Sequence, residues 1–265
     1  MSKQLGGLHP GMLADVIAVA GDLNAATAMP IMEKYFGAIP GGPKPEPMTT
    51  VEPQQNAEKS VVIREATQPF FIEGYHRPDY RSKDDAVFDA LSDLLSEGRT
   101  SRLYRSLVRD KKIASFCEGL TGYPGIKYPH LFAFIAVPLP GHKPDEMAEA
   151  IHGEIEKLKK EDISDDELKM IKTRSKANLI RGLADNEGLA TQLAIYQTRY
   201  GDWRELFRSV DRIDQVSKAD IRRIANQVFN DTNRTVGIIE NAGSGGTPQQ
   251  GEQPSSGAAD QGGAQ

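Results

Sequence analysis

Histidines are the first residues to consider for chemistry, because paired imidazoles bind zinc and a single imidazole can transfer protons. The chain has five histidines, namely His9, His76, His130, His142 and His152. No two of them lie one helical turn apart, the spacing at which two histidines on a helix bind zinc and an intervening glutamate activates water. The sequence therefore predicts no metal-binding residue and no catalytic residue in this chain.

Two weaker chemical candidates are better explained by structure. Glu149, His152 and Glu156 share one face of a predicted helix, but helix surfaces routinely carry such charges, so a solvated polar face is favoured. Cys117 follows Phe116 in an apolar stretch and is predicted to pack as a small hydrophobe. No set of residues with workable catalytic roles emerges, so the chain by itself is not expected to be an enzyme.

Composition limits the class of protein further. The 265 residues are 38% hydrophobic and 26% charged, with a net charge of −5, which gives no electrostatic reason to expect nucleic-acid binding. No apolar run approaches the roughly 20 residues of a membrane span. The apolar stretch at residues 12–20 is interrupted by Asp15, and Lys3 is the single lysine or arginine before it. Both features argue against a signal peptide. A cytoplasmic location is the default expectation, with export open if an upstream segment is missing.

The elements that must position any site fall into four parts. Residues 1–36 contain a predicted buried strand (16–20) and a helix capped by Asn24 with Pro30 in its first turn, and they look like the end of a preceding repeat. Residues 37–59 are rich in proline and glycine and predict a linker. Residues 60–241 form the main domain, and residues 242–265 predict a disordered tail.

Within the main domain, the order of elements predicts the fold class. Strands are expected at 60–64, 69–75, 113–122, 131–137 and 235–239. Helices are expected at 86–95, at 144–160, from 168 to about 200 with a break or bend near Gly182 and Gly188, at 206–213 and at 217–228. This order predicts an α+β fold with an antiparallel-type sheet and helices packed on one face.

The corner at residues 98–114 organises these elements. Gly98 is predicted to end one helix, and Thr100 and Ser101 are predicted to cap the next, a basic amphipathic helix that leads directly into a strand.

Several stretches resemble the non-catalytic C-terminal repeat of the insulinase/pitrilysin/processing-peptidase family of zinc metallopeptidases. They are SEGRTSRLY at 96–104, GDW at 201–203 followed by IDQVSKADI at 213–221, and NRTV at 233–236. Residues 16–40 also resemble the last strand and helix of that family's preceding repeat. The resemblance implies two α+β repeats that close like a clamshell around an unfolded peptide. It further implies that zinc is held by a His-x-x-Glu-His repeat that this chain lacks, so the zinc would belong to a catalytic partner.

The resemblance also suggests substrate contacts. Members of the family often carry an arginine and a tyrosine that hold substrate backbone, but aligning Leu107 with the family pattern places Val108 and Ser115 at those two positions. Arg109 lies one residue away, which on an α-helix turns it by about 100°. Arg102 and Tyr104 could instead serve the turn structurally. The candidate contacts with peptide are Arg102, Tyr104, Arg105, Arg109 and Ser115.

Two functions remain open. The chain is either the non-catalytic half of a zinc metallopeptidase, as a subunit or a fragment, or an inactive scaffold that binds peptide without a peptidase role. The departures at Val108 and Ser115 favour the second, whereas the preceding strand–helix remnant favours a fragment of the first.

Overall fold

The computed structural model of the protein describes residues 16–39 and 49–242. Residues 1–15, residues 40–48 of the proline-rich linker and the predicted tail beyond Ala242 lie outside this range. Two predictions therefore concern residues that are not described: that the first residues are not a signal peptide, and that the tail is disordered.

A five-stranded sheet forms the centre of the main domain. Its strands are β1 (Lys59–Glu65), β2 (Phe70–Arg77), β3 (Ala114–Tyr123), β4 (His130–Pro138) and β5 (Arg234–Asn241). Their spatial order is β1-β5-β2-β4-β3, and every neighbouring pair is antiparallel except β1 with β5, which is parallel. The predicted α+β class and antiparallel-type sheet are confirmed.

Seven α-helices accompany the sheet in the described residues. They are α1 (Ala25–Phe36), α2 (Asp85–Ser96), α3 (Pro144–Lys160), α4 (Asp165–Gly182), α5 (Asn186–Tyr200), α6 (Glu205–Gln215) and α7 (Lys218–Val228). The helix predicted from 168 to about 200 is broken after Gly182, one of the two places where a break or bend was predicted, and forms the two helices α4 and α5. The carboxylate of Asp185 accepts a hydrogen bond from the Gly188 amide at 2.7 Å, and this cap starts α5 as a separate helix.

The core lies between one face of the sheet and helices α2, α3 and α7. Alternate residues of β2 and β4 point into it, because successive side chains of a strand face opposite sides. Phe71, Tyr75, Phe132 and Phe134 are all at most 1% exposed. They pack with buried residues of α2, α3 and α7 in one continuous cluster, so helices cover this inner face as predicted.

Two predictions for the N-terminal segment are wrong. Residues 16–20 are not a strand, since no described strand pairs with them and they alternate between half-buried and exposed; strand hydrogen bonds require a neighbour. Pro30 lies in the second turn of α1 rather than the first. The side chain of Asn24 accepts a hydrogen bond from the Ala26 amide at 2.8 Å, and this cap fixes the start of the helix well before Pro30.

We expect the main domain to fold without the N-terminal segment, because no residue of the described α1 is buried. A chain of residues 49–242 should unfold in one cooperative transition, with a Tm within about 4 °C of the full chain. The measurement is thermal unfolding followed by circular dichroism. A chain starting at residue 57 should melt several degrees lower, because it loses Gln55, which donates to the Arg234 carbonyl at 2.6 Å and accepts from Thr235 at 3.2 Å. Loss of the cooperative transition in the longer chain would contradict this expectation.

Candidate functional site at the corner between helix and strand

The corner begins where α2 ends. Gly98 adopts a positive φ of 76°, a conformation that glycine adopts without strain, so the predicted helix stop is confirmed. The predicted cap is wrong. The Ser101 side chain points into the core, and its Oγ has no hydrogen-bond partner among the described residues. The Thr100 hydroxyl lies 3.9 Å from the sulfur of Met170. The Ser101 carbonyl instead accepts the amide of Arg105 at 3.0 Å.

The helix of the corner is a π-helix, Tyr104–Asp110. The Lys111 amide donates to the carbonyl of Ser106, five residues earlier, at 3.0 Å. Such wide turns are rare and often occur at functional sites. Leu103 and Leu107 are fully buried beneath this turn, which anchors it to the core and directs its basic residues outward.

Arg102 connects the corner to α4. Its Nε and Nη2 donate hydrogen bonds to the two carboxylate oxygens of Glu167 at 2.8 and 2.9 Å. Such bidentate ion pairs are stronger than those with a single hydrogen bond. Glu167 also accepts the Ser164 amide at 2.9 Å, which completes the cap of α4. Burial opposes ionisation of Glu167, but the hydrogen bonds from Arg102 and Ser164 outweigh it and lower the pKa of Glu167 to about 2. Arg102 therefore has a structural role, which is to pair with Glu167. Its contact with substrate stays a prediction.

The other candidate contacts differ in availability. Tyr104 is half-buried. Arg105 is exposed, its guanidinium has no hydrogen-bond partner among the described residues, and it lines a cleft of about 420 Å³ with Glu154 and Glu161. Arg109 is exposed and pairs with the adjacent Asp110, with Nε 2.7 Å from its carboxylate. The two exposed guanidinium groups are thus the members of the predicted set best able to reach a ligand.

Ser115 lies in a β-bulge at the start of β3. Ala114 pairs with Pro138 and Phe116 with Val137, so Ser115 is the extra residue between them. Its hydroxyl donates to the Val137 carbonyl at 3.2 Å. Val108, at the family's arginine position, packs against the core. The corner therefore has no buried polar pair at these two positions, and its exposed polar groups come from the π-helix.

The outer face of the sheet was not anticipated from the sequence. The residues that point away from the helices are mostly apolar, including Val61, Ile63, Phe70, Ile72, Phe116, Leu120, Leu131, Ile135, Val137 and Ile239. β3 is an edge strand that pairs only with β4 among the described residues. The signal was present in β2 and β4, where apolar residues occupy both alternating positions, as in strands that are covered on both faces.

The polar face predicted at Glu149, His152 and Glu156 is only partly solvated. The Nε2 of His152 lies 2.8 Å from the Glu73 carboxylate and 3.2 Å from the Arg234 guanidinium, and Glu73 is fully buried. This contact crosses from α3 to the sheet, which helical periodicity alone cannot reveal. No group of three or more His, Cys, Asp or Glu residues in the described chain could hold a metal ion. The side chains present do not fit a zinc site.

Cys117 packs in the core, as predicted. It is 7% exposed, and burial together with the nearby Glu73 raises the pKa of its thiol to about 12. At neutral pH the thiol stays protonated and is a poor nucleophile. No helix of the described chain is long and apolar enough to cross a membrane.

The described residues form an α+β domain with helices on one face of its sheet, and no metal-binding cluster is found among them. Residues 16–175, more than half of the chain, match the peptidase M16 inactive domain. The chain belongs to this family.

Relatives agree with that assignment. The zinc protease PqqE of Helicobacter pylori is 30% identical over 233 residues, which are 85% of this chain and 51% of that protein. A crystal structure of a protease from Helicobacter pylori has a TM-score of 0.76 at 28% identity, covering 83% of this chain and 54% of that one. The inactive peptidase domain of a zinc protease from Bordetella parapertussis gives a TM-score of 0.57 at 27% identity, over 66% of this chain and 94% of that one. The chain thus spans about half the length of the first two relatives.

Replacement of Arg102 by alanine should destabilise the domain by about 2 kcal/mol at pH 7, because it removes two charge-assisted hydrogen bonds and leaves Glu167 without its main partner. The pKa of Glu167 is lowered, so its contribution is present above about pH 4.3, the unfolded value, and is lost as pH falls toward about 2. The difference in Tm between wild type and Arg102→Ala should therefore be largest at pH 7 and smaller at pH 3.5.

The matched control is Arg109→Ala, which removes an exposed guanidinium from the same corner and should leave the Tm nearly unchanged. Equal losses of stability for the two variants, or a loss for Arg102→Ala that does not depend on pH, would contradict the structural role of Arg102.

Proposed function

We propose that this domain is the non-catalytic half of a zinc metallopeptidase, which closes a chamber over unfolded peptide while a catalytic repeat supplies the zinc. The observation that carries the proposal is the apolar outer face of the sheet, in a chain that spans about half the length of its zinc-protease relatives. The domain would need another part of the enzyme to cover this face.

The outer face is suited to a stable contact. Large contiguous apolar surfaces on a folded domain mark interaction sites, because exposing them to water is unfavourable. Val61, Ile63 and Phe116 are all at least 46% exposed. In the middle of the face, large side chains cover the glycines of the neighbouring strands. Leu131 lies against Gly74 and Ile72 against Gly237, and a Cβ added at either glycine would come within 2.9 Å of the side chain over it. A helix or sheet of the catalytic half could pack here over several strands.

The edge of β3 supports the second part of the proposal, contact with peptide. An edge strand presents backbone amides and carbonyls on one side, and an extended peptide can pair with them as an added strand. The π-helix leads directly into this edge, and its Arg105 and Arg109 are exposed beside it. Both could donate hydrogen bonds to peptide carbonyls or carboxylates.

The alternative is an inactive scaffold of the same fold. Val108 and Ser115 favour it, because neither can supply the arginine–tyrosine pair that the family uses to hold substrate. On this hypothesis the domain associates with its partner and binds peptide, but the partner's cleavage rate does not depend on it.

The test is co-expression of this chain with a His-x-x-Glu-His partner repeat. The two should co-purify and cleave an unstructured fluorogenic peptide, with activity lost on chelation of zinc and restored by its addition. Neither half should cleave alone. Peptide binding by the complex with no cleavage would support the scaffold, and failure to form any complex would exclude both functions.

The outer face can be tested by Phe116→Asp. A charge buried in an apolar contact is strongly unfavourable when the contact forms, so the complex should weaken at least tenfold in a pull-down titration, while the isolated chain keeps its Tm. The matched control is Phe207→Asp, because Phe207 on α6 is 45% exposed and Phe116 is 46% exposed. Equal weakening by both variants would argue against the sheet face as the contact.

The basic corner can be tested in the reconstituted enzyme with Arg105→Ala combined with Arg109→Ala. Loss of charge-assisted contacts to peptide should raise KM about 10- to 100-fold with little change in Tm. The control is Arg81→Ala, which removes an exposed arginine that pairs with nearby Asp79 at the opposite end of the sheet. An unchanged KM in the double variant would remove these arginines from the substrate site.

A further inference from the structure

The strand β1 forms the edge of the sheet opposite β3. Among the described strands it pairs only with β5, so its other side presents backbone amides and carbonyls to an added strand. All seven of its residues are exposed. Val62 lies on the side where the helices pack, since its partner Ile238 packs against the core. It is nevertheless 46% exposed, so the described helices leave this strand accessible from both faces.

The two edges of the sheet differ in regularity. The pairing of β3 with β4 shifts between Ala114 and Phe116 and again between Thr121 and Tyr123, and such irregularities shorten the part of an edge that can accept a strand. The pairing of β1 with β5 keeps one register over all seven residues. β1 also contains no proline or glycine. It is therefore a regular edge over its full length.

The sequence of β1 is complementary to itself in the antiparallel direction. It reads Lys-Ser-Val-Val-Ile-Arg-Glu. In an antiparallel pair of two copies centred on Val62, Lys59 of one copy lies opposite Glu65 of the other. In the same register Val61 lies opposite Ile63, and twofold symmetry repeats both pairs. Opposite charges and apolar side chains that face each other directly stabilise neighbouring strands.

The two end charges are available for this pairing. Neither Lys59 nor Glu65 forms an ion pair with a described residue, in contrast to Arg64, whose Nε lies 2.9 Å from the Glu240 carboxylate. In the antiparallel register Arg64 meets Ser60, which carries no charge, so its pair with Glu240 can persist. The unpaired charges of β1 are thus the two that a second copy would match.

The charge pattern also selects the direction and the size of the assembly. Two β1 strands in parallel register would place Lys59 beside Lys59 and Glu65 beside Glu65, and like charges directly opposite are destabilising. A twofold antiparallel contact uses the β1 edge of both copies, so the assembly closes at two chains. A second copy therefore fits this edge better in the antiparallel direction than in the parallel one.

We propose that the protein forms a twofold dimer in which β1 of one copy pairs antiparallel with β1 of a second copy, in the register centred on Val62. The two five-stranded sheets then join into one continuous sheet. The proposal does not rest on the peptidase role, because it uses only groups of this chain at the edge opposite β3. The contact is small, so we expect a Kd of about 10 to 100 µM.

The test is sedimentation velocity of the full chain over a range of concentrations that spans this Kd. Wild type should shift from the mass of one chain to twice that mass as concentration rises. Val62→Asp places two like charges opposite each other on the twofold axis and should weaken the dimer about tenfold or more. The matched control is Phe207→Asp, which should leave the dimer unchanged, because Phe207 is 45% exposed and lies on α6. Thermal unfolding checks that each variant is folded.

Two outcomes of this experiment would overturn the proposal. The first is a wild-type chain that stays monomeric at every concentration. The second is a dimer that persists in Val62→Asp but is lost in Phe116→Asp, because this result would place the contact on the outer face of the sheet. Neither outcome bears on whether the chain associates with a catalytic repeat, so the two proposals can fail separately.

Charge reversal tests the register. Lys59→Glu and Glu65→Lys each replace both opposite-charge pairs by like-charge pairs, so each should weaken the dimer about tenfold. The double variant restores opposite charges and should return the Kd to within about threefold of wild type. Both side chains are exposed in the isolated chain, so none of these variants should change its Tm by more than a few degrees. A double variant as weak as the single ones would exclude this register.

Cysteine crosslinking locates the twofold axis. Directly opposite residues of an antiparallel pair have Cα atoms about 4.5 to 5.5 Å apart, which is within the range of a disulfide. Val62→Cys should therefore form a covalent dimer on mild oxidation. Ser60→Cys lies on the same face but opposite Arg64, so it should crosslink much more slowly, and the buried Cys117 should not contribute. Equal crosslinking of the two variants would contradict an axis at Val62.

Discussion

The rest of the structure depends on a cluster of four aromatic rings between the sheet and α7. Tyr75, Phe132 and Phe134 reach inward from β2 and β4 and surround Phe229, with ring centroids 5.1 to 5.5 Å from it. Their mostly edge-to-face contacts add specific geometry to a large burial of apolar surface. Helices α2 and α3 pack around the same cluster. These rings fill one face of the sheet, and helices α2, α3 and α7 pack on that face. The opposite face is therefore left for another domain to cover.

This one-sided construction leaves an apolar face of the sheet that the described helices do not cover. A domain in a peptidase can lose its metal site and still be needed, provided that its sheet supplies a surface against which another domain packs. The described α1 has no buried residue, and the outer sheet residues are apolar, so this chain has surface to bury in two places. Such surface is unfavourable in water and gives association its driving force.

The corner at Gly98 identifies the family but does not define an activity. Its buried leucines and the Arg102–Glu167 pair give the local sequence a structural role, since each ties the turn to the core or to α4. Its exposed arginines could contact a ligand, but nothing in the corner performs bond-breaking chemistry. Structural need and substrate contact are thus divided between neighbouring residues of the same short segment.

The sequence by itself determined most of the helices, the five strands of the main domain and the fold class, because these follow from local periodicity, caps and turn residues. Asn24 and Gly98 acted as predicted because each uses only neighbouring backbone groups. The strand at 16–20 failed because strand formation needs a partner elsewhere. The π-helix at Tyr104–Asp110 also escaped prediction, since its wide turn is held by buried leucines that contact the distant core. Only the tertiary structure decided that His152 meets Glu73 and that the outer face of the sheet is left uncovered by the described helices. Each of these joins residues far apart in the chain, and local sequence carries no information on which distant residues meet.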